Sequence, residues 1–288
     1  MSTVSKTIVL PNGQTMPTAV FGVYQIQDPA VCRKAVEDAL EAGYRAIDTA
    51  VAYGNEAAVG AAIKASGLPR DEIFVTSKLW IQDASEKGAA VSVERSLELM
   101  GLDTPDLYLL HQPVGDVYGA WRTLERLHEE GGVLAAIGVS NFAADRLMDF
   151  ALHQKIRPMV NQIEINPFCQ QAEALPVMKE LGVVAQARAP FAEGRNGLFE
   201  NPTLVSVARK HGRTVGQIVL RCVLELGAVV LAKTVRPERM RENLALYDFS
   251  LDEEDKAAIS ALDTGRSQFF SHRDPAMIKW LAGRRVEH

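Results

Sequence analysis

Cysteine is scarce in this chain. Cys32, Cys169 and Cys222 are odd in number and far apart, which excludes a disulfide framework and a closely spaced metal or redox pair. No apolar run approaches the length of a membrane span, and Met1 to Gly13 lacks the hydrophobic core of a signal peptide. A large charge excess is also missing: a net charge of −5 gives no reason to expect a nucleic-acid or anionic-membrane partner. The expected setting is therefore a reducing cytoplasm. The six histidines show no spacing suited to a metal site, so no metal is expected. No GxGxxG follows an early strand signal, and no tyrosine stands in a YxxxK pair. Gly138-Val-Ser140-Asn-Phe142 begins like a hydrolase elbow but lacks its second glycine, which argues against Ser140 as a nucleophile.

What is present is a regular alternation of apolar strand signals with helical periodicity. With 288 residues, 47% of them hydrophobic, the chain can bury one large core, and barrels run this long as single domains. Thr7 to Met16, turning at Asn12-Gly13, reads as a hairpin. Asp28-Pro29 starts a helix that Gly43 ends. Strand signals then recur at Ile73–Lys78, Asp106–His111, Ala136–Ser140, Val160–Glu164, Val183–Ala187 and Val229–Leu231, with helices between them. About eight strands alternating with helices favour a (β/α)₈ barrel. Doubly wound sheets share that alternation, so the strand ends help to decide. Asp48, Lys78, His111, Ser140, Asn141, Gln162, Glu164 and Lys233 all fall at or just past them. Barrel strand ends converge on one mouth, where catalytic groups belong. For any one position the plainer reading is that a polar residue marks where a strand stops. No linker divides the chain, so 1–288 is expected to be one domain, with an N-terminal hairpin over 1–18. An irregular C-terminal tail over 263–288 is expected to cross the barrel mouth.

The stretch from Gly43 to Glu56 organises the rest. Ala46-Ile47 is a strand signal that ends in the carboxylate of Asp48, and Tyr53 and Gly54 follow in the loop, with Asn55 placed to cap a helix from Glu56. A phenol with a pKa near 10 is a poor acid at neutral pH unless a cation lowers that value. Lys78, with Asp48 as counter-ion, is the cation that could do so, and His111 could orient the same oxygen as a neutral donor. Each has a plainer reading: Lys78 snorkelling outward, His111 a satisfied strand-end histidine, Tyr53 a packing residue.

Taken together, the local sequences are specific. Asp48-xxxx-Tyr53-Gly-Asn-Glu, Ser77-Lys78-Leu79-Trp80, Asp106 to Pro113, Gly138 to Phe142, Asn161 to Pro167 and Lys233 to Asn243 resemble the aldo-keto reductase family in order, from about Ile8 to Trp280. The tail segment Ser271 to Pro275 looks most like bacterial members named 2,5-diketo-gluconic acid reductases. The resemblance implies NADPH-dependent reduction of an aldehyde or ketone in a (β/α)₈ barrel. Tyr53 would be the general acid, tuned by Lys78 and Asp48, with His111 orienting the carbonyl. Ser140, Asn141 and Gln162 match positions that bind the nicotinamide carboxamide, and Gly22 one where the backbone lies close to the cofactor. Lys233, Thr234 and Arg239 match those that grip the 2′-phosphate of NADPH or NADP+, and Glu242 and Asn243 the adenine contacts. Tyr24 and Trp80, with His111, match the substrate pocket, which Phe269 and Phe270 could close. Arg266, His272 and Arg273 suggest an acidic sugar substrate. The implied partner is a small-molecule carbonyl compound, and the expected state is a monomer.

Two positions depart from the pattern. Gln186-Ala187-Arg188-Ala189-Pro190 places Arg188 where the family usually has an aromatic residue under the nicotinamide. Its guanidinium can still stack on a ring, but its charge should disfavour the cationic NADP+ more than neutral NADPH. Ala232 replaces a proline before Lys233. Arg188 also keeps open an alternative, a cofactor-binding regulatory or weakly active relative.

Overall fold

The computed structural model describes residues 6–130 and 132–286, so the first five residues of the expected hairpin and the last two of the tail lie outside the described residues. β1 (Thr7–Val9) and β2 (Thr15–Pro17) form an antiparallel hairpin. Next come β3 (Ala19–Gly22), α1 (Pro29–Ala42), β4 (Ala46–Asp48), α2 (Glu56–Ala65), β5 (Phe74–Leu79) and α3 (Glu86–Met100). The alternation continues through β6 (Leu107–Leu110), α4 (Val117–Glu129), β7 (Ile137–Ser140), α5 (Ala144–Leu152), β8 (Val160–Glu164), α6 (Ala174–Leu181) and β9 (Val184–Arg188). Then follow α7 (Pro202–His211), α8 (Val215–Glu225), β10 (Val229–Ala232), α9 (Pro237–Leu244), α10 (Glu253–Ser260) and α11 (Pro275–Gly283). β3 to β10 are parallel neighbours, and β10 closes on β3 through the pair Val230 and Ala19, so the fold is a (β/α)₈ barrel.

Side-chain alternation along each strand sorts residues between the barrel interior and the helix layer. Ile47, Val75, Leu79, Tyr108, Leu110, Ile137 and Val139 pack into the cluster that includes helix residues such as Val36, Val59 and Trp121. Their alternates Val20, Ala46, Phe74, Leu107, Leu109, Val160, Val184 and Val229 form a separate cluster with Leu10 and Met16 of the hairpin segment. The hairpin therefore plugs the end where the strands begin. Asp48, Lys78, Gln162, Gln186 and Arg188 continue the same interior alternation towards the other end.

Local signals explain most element boundaries. The Asp28 carboxylate accepts from the Val31 N–H, Pro29 opens α1 where no amide is needed, and Gly43 ends it at φ 108°. Two sequence expectations are corrected and one helix is added. Asn55 sits before α2, yet its side chain does not cap the helix: it accepts from Thr49 Oγ1 at 2.7 Å and donates to the carbonyls of Val23 and Ile26. It is a buried tie between loops, including the one that carries Tyr53. The tail is also less irregular than expected, because Asp274 caps the Ala276 N–H and Pro275 starts α11. α10 went unread; a run of acidic residues at its start hides a capping box between Asp252 and Asp255. Among the described residues no helix is long and apolar enough to cross a membrane.

Candidate active site

The interior layer above the apolar plug is polar and organised around one cation. Lys78, on β5, is completely buried, and its Nζ donates to Asp48 Oδ1 at 2.5 Å and to the Thr49 carbonyl at 2.8 Å. It reaches the Tyr53 hydroxyl at 3.4 Å and lies 4.9 Å from that ring's centroid. Gln162 Nε2 donates to the second Asp48 oxygen at 2.8 Å and to Gln186 Oε1 at 2.8 Å. A carboxylate whose two oxygens both accept is the ionised form. Lys78 is thus not snorkelling. Burial disfavours its ammonium, but Asp48 and Tyr53 outweigh burial and hold its pKa above the ordinary lysine value. The pKa of Asp48 is raised by burial, against the pull of Lys78 and Gln162.

Tyr53 differs from the expectation. Burial raises its pKa above the ordinary phenol value, and the opposing pull of Lys78 does not overcome that. The phenol is therefore a fully protonated donor at neutral pH rather than a group poised to ionise. Its ring lies 5.0 Å from Tyr24 and 5.6 Å from His111, centroid to centroid, and Trp80 stands 5.2 Å from His111. Burial, then Lys78, Arg188 and His272, push the His111 pKa well below its ordinary value, so the imidazole is neutral. Its buried Nδ1 has no hydrogen-bond partner among the described residues.

Asn141, at the end of β7, donates to the His111 carbonyl at 2.9 Å and to Ser140 Oγ at 3.0 Å. Its Oδ1 accepts from Arg188 Nε at 2.7 Å, so the residue expected under a nicotinamide is tied to one expected to bind the carboxamide. Ser140 Oγ itself donates to the Gln162 carbonyl at 2.8 Å. At Gly22 a Cβ would stand 2.6 Å from the end of the Leu231 side chain, a contact that a shift of that side chain relieves.

One cavity of about 740 Å³ gathers most of these groups. Tyr24, Tyr53, Trp80, His111, Asn141, Gln162 and Arg188 line it, as do Lys233, Thr234, Arg239, Glu242 and Asn243; Gly22 and Ser140 do not. Lys233 and Arg239 make no ion pair among the described residues. Glu242 is anchored, its Oε1 accepting from Thr214 Oγ1 at 2.6 Å.

The tail covers the mouth. Phe269, Phe270, His272 and Trp280 line the cavity, and the Arg284 carbonyl accepts from Trp80 Nε1 at 3.3 Å. Burial and Arg188 depress the His272 pKa to about 4, and Arg273 is paired with Asp145. Of the three tail residues read as positive charges for an acidic sugar, His272 is thus neutral at pH 7 and Arg273 is engaged by Asp145. Sequence reasoning missed Gln186, which bonds Gln162, and it placed Glu164 at a strand end without its partner: Glu164 holds the tail through Ser267 Oγ at 2.5 Å and the Gln268 N–H at 2.8 Å. Interior alternation along β9 is the signal that could have found Gln186.

The aldo/keto reductase family pattern matches residues 19–264. A glyoxal reductase of Bacillus subtilis is 40% identical over 258 residues, spanning 89% of this chain and 92% of its own length. An aldo-keto reductase from a Medee basin deep-sea metagenome superposes with a TM-score of 0.90 at 39% identity, covering 93% of this chain and 98% of that one. A Bombyx mori aldo-keto reductase solved in complex with NADP has a TM-score of 0.87 at 32% identity, covering 95% of this chain and 96% of its own. With that match across most of its length, the chain belongs to the aldo/keto reductase family.

Proposed function

We propose that the protein reduces an aldehyde or ketone to the alcohol with NADPH. The observation that carries this reading is the buried Lys78 ammonium, paired with Asp48 and 3.4 Å from a protonated Tyr53 hydroxyl that opens on the cavity. The cavity suits the dinucleotide: Lys233 and Arg239 are cations without ion-pair partners among the described residues, a donor set that fits a 2′-phosphate. Thr234 would add a hydroxyl to that grip, Glu242 and Asn243 would meet the adenine, and Asn141 and Gln162, braced by Ser140, would orient the carboxamide. When bound, the reduced nicotinamide supplies the hydride.

The chain's own residues supply the rest. Tyr53 donates its proton to the carbonyl oxygen as negative charge develops there, and neutral His111 holds that oxygen in line. Lys78 then stabilises the tyrosinate left behind, and Asp48 keeps Lys78 charged and fixed. Tyr24 and Trp80 wall the substrate. The named relative is a glyoxal reductase, so small dicarbonyls belong in the first assays.

The test is loss of NADPH absorbance with aldehydes, diketones, keto-acids and keto-sugars, each repeated with NADH. The expected result is turnover with NADPH on at least one class, and a kcat lowered by about 10²-fold or more in Tyr53→Phe. NADPH binding without turnover on any class would favour the regulatory alternative and overturn this reading.

A further inference from the structure

Arg188 and Glu164 are cross-strand partners in the register of β8 and β9, and both follow the interior alternation. Side by side at the barrel mouth, they would be expected to pair. They do not: among the described residues Arg188 makes no ion pair, and its Nε is spent on Asn141 at 2.7 Å. The Glu164 carboxylate is instead taken up by its neighbours. Oε2 accepts from Ser267 Oγ at 2.5 Å, and Oε1 accepts from the Gln268 N–H at 2.8 Å and from Asn166 Nδ2 at 3.0 Å. The next tail residue, Phe269, faces the guanidinium, with Arg188 Cζ 5.5 Å and Arg195 Cζ 4.6 Å from its ring centroid. Arg195 Nη1 donates in turn to the Gln268 carbonyl at 3.1 Å. The seated tail thus does two things to Arg188: it holds the Glu164 carboxylate out of contact with the guanidinium, which feels that charge only at a distance, and it gives the cation an aromatic face.

We propose that the C-terminal tail, by holding Glu164 through Ser267 and Gln268 and by packing Phe269 on Arg188, keeps Arg188 out of direct contact with that acid, leaves its charge incompletely offset in the cavity and thereby sets the preference for NADPH over NADP+. The inference rests on the function proposed above. β9, which carries Arg188, lies beside β10, whose extension carries Lys233, and Arg188 lines the same cavity as Tyr53 and His111. A nicotinamide reaching Tyr53 from a phosphate held at Lys233 must come close to that guanidinium. The oxidised ring is a cation and the reduced ring is neutral, so a guanidinium charge only partly offset by its acid penalises the oxidised form alone. Inside a protein that penalty is on the order of tenfold or more at separations of several ångströms. Because the coupling is reciprocal, NADP+ also loosens the tail relative to NADPH, which favours release of the spent cofactor. Phe269 and Ser267 are positioning residues that act through Arg188.

The experiment is fluorescence titration of NADPH and NADP+, comparing the ratio of their dissociation constants across variants. Arg188→Met is expected to lower Kd(NADP+)/Kd(NADPH) by about tenfold, equivalent to about 30 mV in the potential of the bound two-electron couple. Arg188→Lys keeps the charge and should keep most of the ratio. The double variant Ser267→Ala/Phe269→Leu releases Glu164 Oε2 and loosens the tail, and should lower the ratio towards that of Arg188→Met. Adding Glu164→Gln to it removes the neutralising acid and should restore the ratio. Equal changes in both dissociation constants, or a loosened tail with an unchanged ratio, would overturn the proposal. So would an effect of Arg188→Met confined to the KM of anionic substrates. A wild-type protein that binds neither nucleotide removes the function proposed above as well, whereas normal binding with an unmoved ratio removes this inference alone.

Discussion

Lys78, completely buried, is an expensive place for a charge, and a buried ammonium without its counter-ion is strongly destabilising. Asp48 and the Thr49 carbonyl make it tolerable, and the tyrosine beside it gains a stabiliser for its anion. Burial nevertheless keeps the Tyr53 pKa above the ordinary 10.0. The sign follows: the protonated acid is the active form, so kcat for reduction should stay flat from about pH 6 to about pH 9 and fall only above the ordinary phenol range. A steady-state pH profile checks this; a decline between pH 7 and 9 would mean that Lys78 wins over burial. His111, held neutral by burial and by nearby cations, should add no inflection near its ordinary 6.5 in the same profile. At this scale the four residue types were legible because each ends or follows a short apolar run. The balance of burial against Lys78 was not, since desolvation depends on everything packed around the phenol. Gln186 escaped notice for a related reason: within an apolar strand, only its partner Gln162 gives it a role.

Strand parity is what brings such residues together. Phe74, Thr76 and Lys78 face inward by alternation along one strand, so a shift of a single residue in β5 would turn the lysine out into the helix layer. The hairpin secures the opposite end, with Met16 fully buried and Leu10 2% exposed against the interior cluster. Met16→Ala should therefore cost about 2–5 kcal/mol in chemical denaturation, with little change in NADPH affinity. α10 is fastened to α7 through Asp255, which accepts from Lys210 at 2.8 Å and pairs with His211 at 2.7 Å. Burial acts to raise the Asp255 pKa, yet Lys210 and His211 bring it below the ordinary 3.8. A lowered carboxylate pKa stabilises the fold above that value, and the contribution is lost as pH falls through and below it. Asp255→Asn should lower stability at neutral pH by about 1–2 kcal/mol, read by denaturant titration, with the deficit shrinking towards acid pH. α10 and α11 were the least legible elements. Both are short, and their starts are marked by caps at Asp252 and Asp274 rather than by a long apolar stripe.

Over the whole molecule, the two ends of the barrel have different tasks: one is plugged with apolar side chains, the other keeps its polar residues around a cavity of about 740 Å³. The alternation of strand and helix made this architecture readable, and the polar strand ends favoured a barrel over an open sheet. The tail's attachment was not readable, because its hold on Glu164 and Trp80 joins residues more than a hundred positions apart. Its seat is shallow, with Leu281 its one fully buried hydrophobe among the described residues, so it should open before the barrel does. Ser267→Ala should accordingly raise the rate of limited proteolysis between α10 and α11 severalfold while leaving the barrel fragment intact. The most direct measurement of the site as a unit is a double-mutant cycle on kcat with Tyr53→Phe, Lys78→Met and the combined variant, alongside NADPH dissociation constants. If the ammonium acts through the phenol, each single change lowers kcat by about 10²-fold or more and the combination is no worse than either, with NADPH affinity held within a few fold. Losses that multiply, or turnover that survives Lys78→Met, would contradict it.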